Sequence, residues 1–342
     1  MDRETLRKAL LELPKTERRI LMLEVEQAST TQVAIVSNRR TKLDNKQGVC
    51  PHCGSFKYNK FGLDKGSKRY QCKECKRTFT EYTGTWLSKI HKKQLAEDYI
   101  KLMNEEKSLD KIKDELDINK KTAFDWRHKI LSGIENIGKG KFQGITESDE
   151  TFFLFSEKGT KQIHRNPRKR GGIAKKKGIS AEQVAVIVTA DRISEIDMTV
   201  ARIGRIKKTD IQKAIGKKVT KQTILCSDSH VSYKGFAIDK KIEHHAIRAS
   251  LKQFVKKKIY HVQHVNSIDS RMKKWIGNRF MGVSTKYLQK YMNWFKSKEM
   301  LKGSANFNEE FAQLSLENMK AWRSFKTIPS QFEKLIQLST PN

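Results

Sequence analysis

Two sets of side chains in this chain have the types and spacing to do chemistry. The first is Cys50-Pro-His-Cys53 and Cys72-Lys-Glu-Cys75, two C-x-x-C pairs flanking 18 residues. Two thiolates three residues apart on a tight turn can reach one ion, and two such turns close a tetrahedron. Gly54 follows the first pair and Arg77-Thr78-Phe79 the second, which predicts a ribbon of two knuckles and short strands. Tyr58, Phe61, Tyr70 and Phe79 are its expected core. A closed four-thiolate shell leaves no position for a substrate, so the expected Zn2+ is structural. His52 reads as a solvated neighbour of the knuckle.

The second set is acidic. Asp149 is expected to open a strand over 151–155, Asp228 to follow a short strand over 223–226, and Asp269 to lie near a helix start. Carboxylates at strand ends suit hard divalent ions such as Mg2+ or Mn2+. A pair of such ions can activate an attacking oxygen and stabilise a leaving one in phosphoryl transfer. Glu150 adjoins Asp149 and, on a strand, faces the other way, so it is left out of that shell. Cys226 reads as a buried strand thiol, and His244 and His245 as strand-end residues rather than ligands.

The elements that must position these groups follow from periodicity. Residues 1–40 form an expected helical arm, on Leu6, Leu10, Leu13, Ile20, Leu21, Leu23 and Val25, and a polar, basic linker from Ser37 to Gln47 leads into the ribbon at 45–85. Within 90–137, Leu109, Ile112 and Leu116 give one helix face, Asp117-Ile118-Asn119 a turn, and Ala123, Trp126 and Ile130 a second face. Asn119 can cap the second helix. This is a helix-turn-helix pattern, with Lys120, Lys121, Thr122, Asp125, Arg127 and His128 on or near the outer face. Strands are expected over 151–155, 184–189, 193–203 and 223–226, and helices after His261. The loop from Lys158 to Lys177 carries Arg168, Lys169, Arg170, Lys175, Lys176 and Lys177, suited to gripping a phosphate backbone.

Charge agrees with that reading. Lys and Arg number 70 against 38 Asp and Glu, a formal net charge of +32. An excess of this size points to a polyanion, because neutralised phosphates release counterions. An anionic membrane surface is the other electrostatic option, but no run of about 20 apolar residues and no signal-peptide pattern is present. The expected setting is a reducing cytoplasm, with no membrane partner.

Five stretches carry a resemblance: Ser148-Asp149-Glu150-Thr151-Phe152-Phe153, Pro167-Arg168-Lys169-Arg170-Gly171-Gly172, Cys226-Ser227-Asp228-Ser229-His230, His264-Val265-Asn266-Ser267, and Phe280-Met281-Gly282-Val283-Ser284-Thr285-Lys286-Tyr287-Leu288. In this order they resemble the zinc-ribbon-bearing DDE-type transposases of bacterial insertion sequences, family fifteen-ninety-five. The resemblance implies a multidomain α/β chain. The ribbon and helix-turn-helix would precede a ribonuclease-H-like domain at 142–300, with a mixed five-stranded sheet and helices on both faces, and a helical tail at 301–342 would follow. It places Asp149 and Asp228 at the first two acidic positions. Family members carry Asn where Asn266 stands, then Glu or His three residues on, then Lys; this chain departs with Asp269. Asn266, Asp269 and Lys273 share a helix face. Asp269 is therefore assigned as third carboxylate, Asn266 as an assisting oxygen ligand and Lys273 as a phosphate contact.

The implied activity is hydrolysis at the terminal inverted repeat of an element, then transfer of the 3′-hydroxyl strand to target DNA by a homodimer joining two ends. The competing readings are a zinc-dependent DNA-binding regulator without catalysis, for which Asp149 and Asp228 would be dispensable, and a nuclease that cuts but never joins.

Overall fold

The computed structural model describes residues 2–14, 17, 18, 21, 34–64, 66–138, 140–161, 163, 165, 167–169 and 171–338. The chain forms two compact units, one of Met1–Arg127 with Asn308–Trp322, the other of His128–Phe307 with Arg323–Asn342.

The first unit opens with α1 (Arg3–Glu12), whose N-cap Asp2 accepts from the amides of Glu4 and Thr5. Ile20, Leu23 and Val25 of the expected arm lie outside the described residues. Next comes α2 (Ala34–Asp44), which corrects the linker expected from Ser37 to Gln47. Its polar surface hid the helix, but Ile35, Val36 and Leu43 are buried, and that burial fixes it.

The ribbon is a three-stranded antiparallel sheet of β1 (Tyr58–Asp64), β2 (Ser67–Cys72) and β3 (Thr78–Thr80). Register sets Tyr58 opposite Cys72 and Tyr70 opposite Phe79, so all four lie in one small core with Leu43. Phe61 is corrected out of that core. It is 44% exposed, and the Arg69 guanidinium sits 5.0 Å over its ring. Three helices follow: α3 (Ala96–Asn104), α4 (Leu109–Glu115) and α5 (Lys120–Gly133). Asp117 takes a left-handed φ of 47° between the last two, and Asn119 Oδ1 accepts from the Thr122 amide at 2.7 Å, so the cap forms as its sequence requires. Ile112, Ala123, Trp126 and Ile130 are buried.

The second unit is built on a mixed five-stranded sheet: β4 (Gly144–Leu154), β5 (Gln183–Asp191), β6 (Ile196–Ile203), β7 (Thr223–Asp228) and β8 (Glu243–Ile247), in spatial order β6-β5-β4-β7-β8. The β4/β5 and β5/β6 pairs are antiparallel, β4/β7 and β7/β8 parallel. Parallel pairing requires crossovers. They are supplied by α6 (Lys208–Ile215) before β7 and α7 (Val231–Lys240) between β7 and β8. Leu225, Ala185 and Ile187 pack under Ile211, Ile215, Tyr233 and Phe236 of those helices. Neighbours of Leu225 point oppositely, so Ile224 and Cys226 meet Ile145, Ile247, Tyr260 and Val262 on the other face. There α8 (Gln263–Phe280) begins, followed by α9 (Thr285–Met300).

Strand β4 starts at Gly144, so Asp149 does not open it but stands in its middle. Thr146, Glu147 and Ser148 disguised the strand because they are polar, yet all three are fully buried. Their polar atoms are partnered: Ser148 Oγ lies 2.7 Å from Thr189 Oγ1, and Glu147 pairs with Arg192. The strand expected from Ile193 begins at Ile196, because Asp191 accepts the amides of 193–195 and bends them into a turn. No described helix is long and apolar enough to cross a membrane.

Candidate active site and metal centre

Asp149 and Asp228 are brought together by register. Glu147 pairs with Cys226 across the parallel β4/β7 ladder. Two residues further along both strands stand Asp149 and Asp228, on the face that α8 covers. The third acid comes from α8, whose start is pinned to β4 by Glu147. Glu147 Oε2 accepts from the His264 amide at 2.9 Å and the Val265 amide at 3.4 Å. From there the helix carries Asp269 and Lys273 to Asp149: the Asp149 charge acts on Asp269, and the Lys273 ammonium acts on both carboxyls. Asp269 is buried, whereas Asn266 and Lys273 are exposed.

Burial drives the acids toward their protonated forms. It lifts Asp149 to about 6, with the Asp228 charge adding and the Glu150 amide and Lys273 opposing. Asp269 rises to about 7 by burial and the Asp149 charge, against Lys273. Glu150 points to the other face, toward Tyr233, yet still feels Asp228 and Asp149 and is pushed by burial to about 8. Asp269 Oδ1 and Glu150 Oε2 are buried with no hydrogen-bond partner. Such groups are expensive to ionise without a cation. Asp149, Asp228 and Asp269 offer the hard oxygen donors and the orphaned oxygen that suit a divalent cation. Among the described residues, however, they are not one of the sets whose ligand atoms all lie within 4.8 Å of one another, so an ion held by all three would have to draw them together.

Glu147 was missed in the sequence, although the Glu-x-Asp spacing puts it on the face of Asp149. It is fully buried, and its Oε1 lies 3.2 Å from Arg192 Nη2, 3.2 Å from His261 Nδ1 and 3.1 Å from His264 Nδ1. The Glu147, His261 and His264 donors are close enough together to hold an ion. The Arg192 guanidinium already neutralises the carboxylate, and so this group serves as an anchor for α8.

In the first unit the four thiols of Cys50, Cys53, Cys72 and Cys75 all lie within 4.8 Å of one another. Cys50 and Cys75 sulfurs are 3.7 Å apart and Cys53 and Cys72 sulfurs 3.6 Å. Sulfurs about 2.3 Å from a tetrahedral centre would be roughly 3.8 Å apart, so the set fits Zn2+. The Cys75 and Glu74 amides hold the Cys72 thiol down to about 7. His52 Nε2 instead meets the Thr78 carbonyl at 3.1 Å.

The residues expected to touch a phosphate backbone divide. Lys120 and Lys121 are exposed and paired with Asp110 and Asp125, and Thr122 is half-buried. Arg127 is corrected out of the exposed face: it is 3% exposed and donates to the Lys107 carbonyl at 2.9 Å. Its neighbour His128 is buried as well, stacked on Tyr287 with ring centres 4.1 Å apart. In the basic loop Lys169, Lys175, Lys176 and Lys177 are exposed, Arg168 donates to the Phe155 carbonyl, and Arg170 lies outside the described residues.

These features define a class, a mixed α/β domain with acidic side chains on one face of its sheet, in a chain that also carries a four-cysteine unit. Residues 141–299 match the profile of the ISXO2-like transposase domain. An "uncharacterized protein in transposable element ISH50" of Halobacterium salinarum is 28% identical over 160 residues, 43% of this chain and 51% of that protein. The chain thus spans about half the length of that curated relative. Among solved structures, a pre-cleavage Mos1 transpososome aligns at 10% identity and a TM-score of 0.25, over 72% of this chain and 79% of that one. The Mos1 strand transfer complex aligns at 11% identity and a TM-score of 0.26, over 70% and 77%.

Two predictions follow from the geometry. Loaded protein should carry one tightly held zinc per chain by atomic absorption, and Cys53→Ser should lose most of it; full zinc retention would remove the thiolate shell. The second concerns Asp269. Its folded value near 7 exceeds the ordinary 3.8, so ionisation opposes folding and stability is lost as pH rises through about 4 to 7. Without divalent ions, Asp269→Asn should therefore stabilise the domain by about 1–3 kcal/mol at pH 8, a gain that fades toward pH 4. Denaturant midpoints check this, and an equal gain at both pH values would contradict it.

Proposed function

We propose that the chain is the transposase of an insertion sequence, cutting at the element's terminal inverted repeats and joining the freed 3′-hydroxyl to target DNA. The observation that carries this is the placing of Asp149 and Asp228 on adjacent strands, with α8 bringing Asp269 to Asp149, within a domain that matches the ISXO2-like transposase profile. The sheet order supports a ribonuclease-H-like fold for residues 142–300.

Asp149, Asp228 and Asp269 would hold Mg2+ or Mn2+, with Asn266 assisting. Bound there, divalent ions supply Lewis acidity to the attacking and leaving oxygens of an in-line phosphoryl transfer. The chain's own groups do the rest. Exposed Lys273 sits beside the acids and is placed to grip the phosphate that flanks the scissile bond. Buried β4 and β7 fix two carboxyls on adjacent strands, and the Glu147 anchor fixes the third. Lys169, Lys175, Lys176 and Lys177 would hold backbone phosphates without reading sequence. End recognition falls to the zinc ribbon at 45–85 and the helix-turn-helix at 90–137, where Lys120 and Lys121 are exposed and Thr122 is half-buried. Joining two ends calls for a homodimer. A bacterial cytoplasmic, nucleoid-associated setting suits this activity.

A strand-transfer assay tests the proposal, with a labelled terminal-repeat duplex, a plasmid target, and Mg2+ or Mn2+ against EDTA. Metal-dependent joined product should appear with wild type and fall by at least about a thousandfold with Asp228→Asn, the scale of losing a group that acts only in the transition state. Cleavage without joining would identify a nuclease. Binding without chemistry under either metal would leave a DNA-binding protein.

A further inference from the structure

The segment between β8 and α8 has a surface that the reading above does not use. It leaves the sheet after Ile247, the residue paired with Asp228, and returns at Tyr260, stacked on His245 with ring centres 3.6 Å apart. Between those points the backbone is held. The amides of Leu251 and Gln253 bond to the Arg248 carbonyl, and Lys256 and Tyr260 exchange two hydrogen bonds across a tight turn. Lys257 and Lys258 occupy left-handed φ values of 48° and 63° at its tip. Arg192 ties the return to the carbonyl of Ile259 at 2.6 Å.

This fixed loop points apolar side chains outward. Leu251 is 68% exposed and Phe254 58%, with Ile259 at 48% and Val255 at 40%. Lys252, Lys257 and Lys258 are exposed among them, and no acidic residue occurs from His244 to Ile268. Apolar patches held open to water mark contact surfaces. A second copy of the chain is a poor occupant, since a two-fold contact would set these lysines against their own images. A polyanion matches the charge, but phosphates offer nothing to Phe254. The faces of nucleic-acid bases do, and in a duplex those faces are covered until the bases unstack.

We propose that the loop of residues 248–259 is a wedge that opens duplex DNA beside the carboxylates, its lysines on phosphates and Phe254, with Leu251, against unstacked bases. The proposal rests on the DNA-acting reading of the carboxylate site. It adds that the substrate is a locally unpaired duplex, distorted next to Asp228.

The test uses zinc-loaded full-length protein and two duplexes of one sequence, one fully paired and one with a short run of mismatches, followed by fluorescence anisotropy. Wild type should bind the mismatched duplex about tenfold more tightly, the scale of one base stacked on an aromatic ring. Phe254→Ala should bring that ratio close to one while keeping affinity for the paired duplex, and Phe254→Trp should preserve the preference. Replacing Lys252, Lys257 and Lys258 by Ala should weaken both duplexes alike and flatten the salt dependence. An unchanged ratio in Phe254→Ala overturns the wedge, as does a dimer that Phe254→Ala dissociates while the ratio stays fixed. Wild type that prefers the mismatched duplex but transfers no strand keeps the wedge and removes the catalytic reading. Strand transfer with an unaltered ratio in Phe254→Ala removes the wedge alone.

Discussion

The structure depends on one unfavourable arrangement: buried Asp269 lies near half-buried Asp149, which in turn lies near Asp228, with Lys273 as the cation acting on both Asp149 and Asp269. Like charges in a poorly solvated site repel, and each resists ionisation. The fold must hold the acids in place against that repulsion, and a divalent ion would relieve it. Hence the rigid setting. Two acids stand on adjacent, hydrogen-bonded strands in the middle of a five-stranded sheet, where register cannot slip without turning the core face outward.

The third acid needs a different device, because a helix packed on a sheet can slide or rotate. Glu147 supplies it. A fully buried carboxylate accepts two amides from the first turn of α8 and is neutralised by Arg192, which the β5–β6 turn presents. An anion at a helix N-terminus is favourable in itself. Here it also sets the distance from the anchor to Asp269, five residues from His264. Anchor and reactive acid lie two residues apart on one strand, so a shift of β4 would move both together.

The spacing of the cysteines and the order of the acids could be read from the chain because they depend on local geometry alone. A C-x-x-C knuckle closes around its ion whatever surrounds it, and Ser227-Asp228 ends a strand of apolar residues. What was hidden depends on partners distant in sequence. The polar run Thr146-Glu147-Ser148 looks like a loop until Thr189 and Arg192 are placed beside it, and so Asp149 seemed to open its strand. Arg127 has the type and spacing of an exposed phosphate contact, and only the fold reveals the Lys107 carbonyl that it meets. Phe61 belongs by type to the ribbon core, but strand alternation turns it outward beneath Arg69. In α2, three buried apolar residues suffice because the ribbon packs on Leu43.

The central claim is that the clustered carboxylates exist to hold a divalent cation. Calorimetric titration of Mn2+ into protein whose cysteine site is already loaded with zinc tests it most directly. Saturable binding should appear in wild type and be lost in both Asp149→Asn and Asp228→Asn, each variant keeping its zinc and its fold. Absence of Mn2+ binding in wild type, or binding that survives both substitutions, would contradict the account.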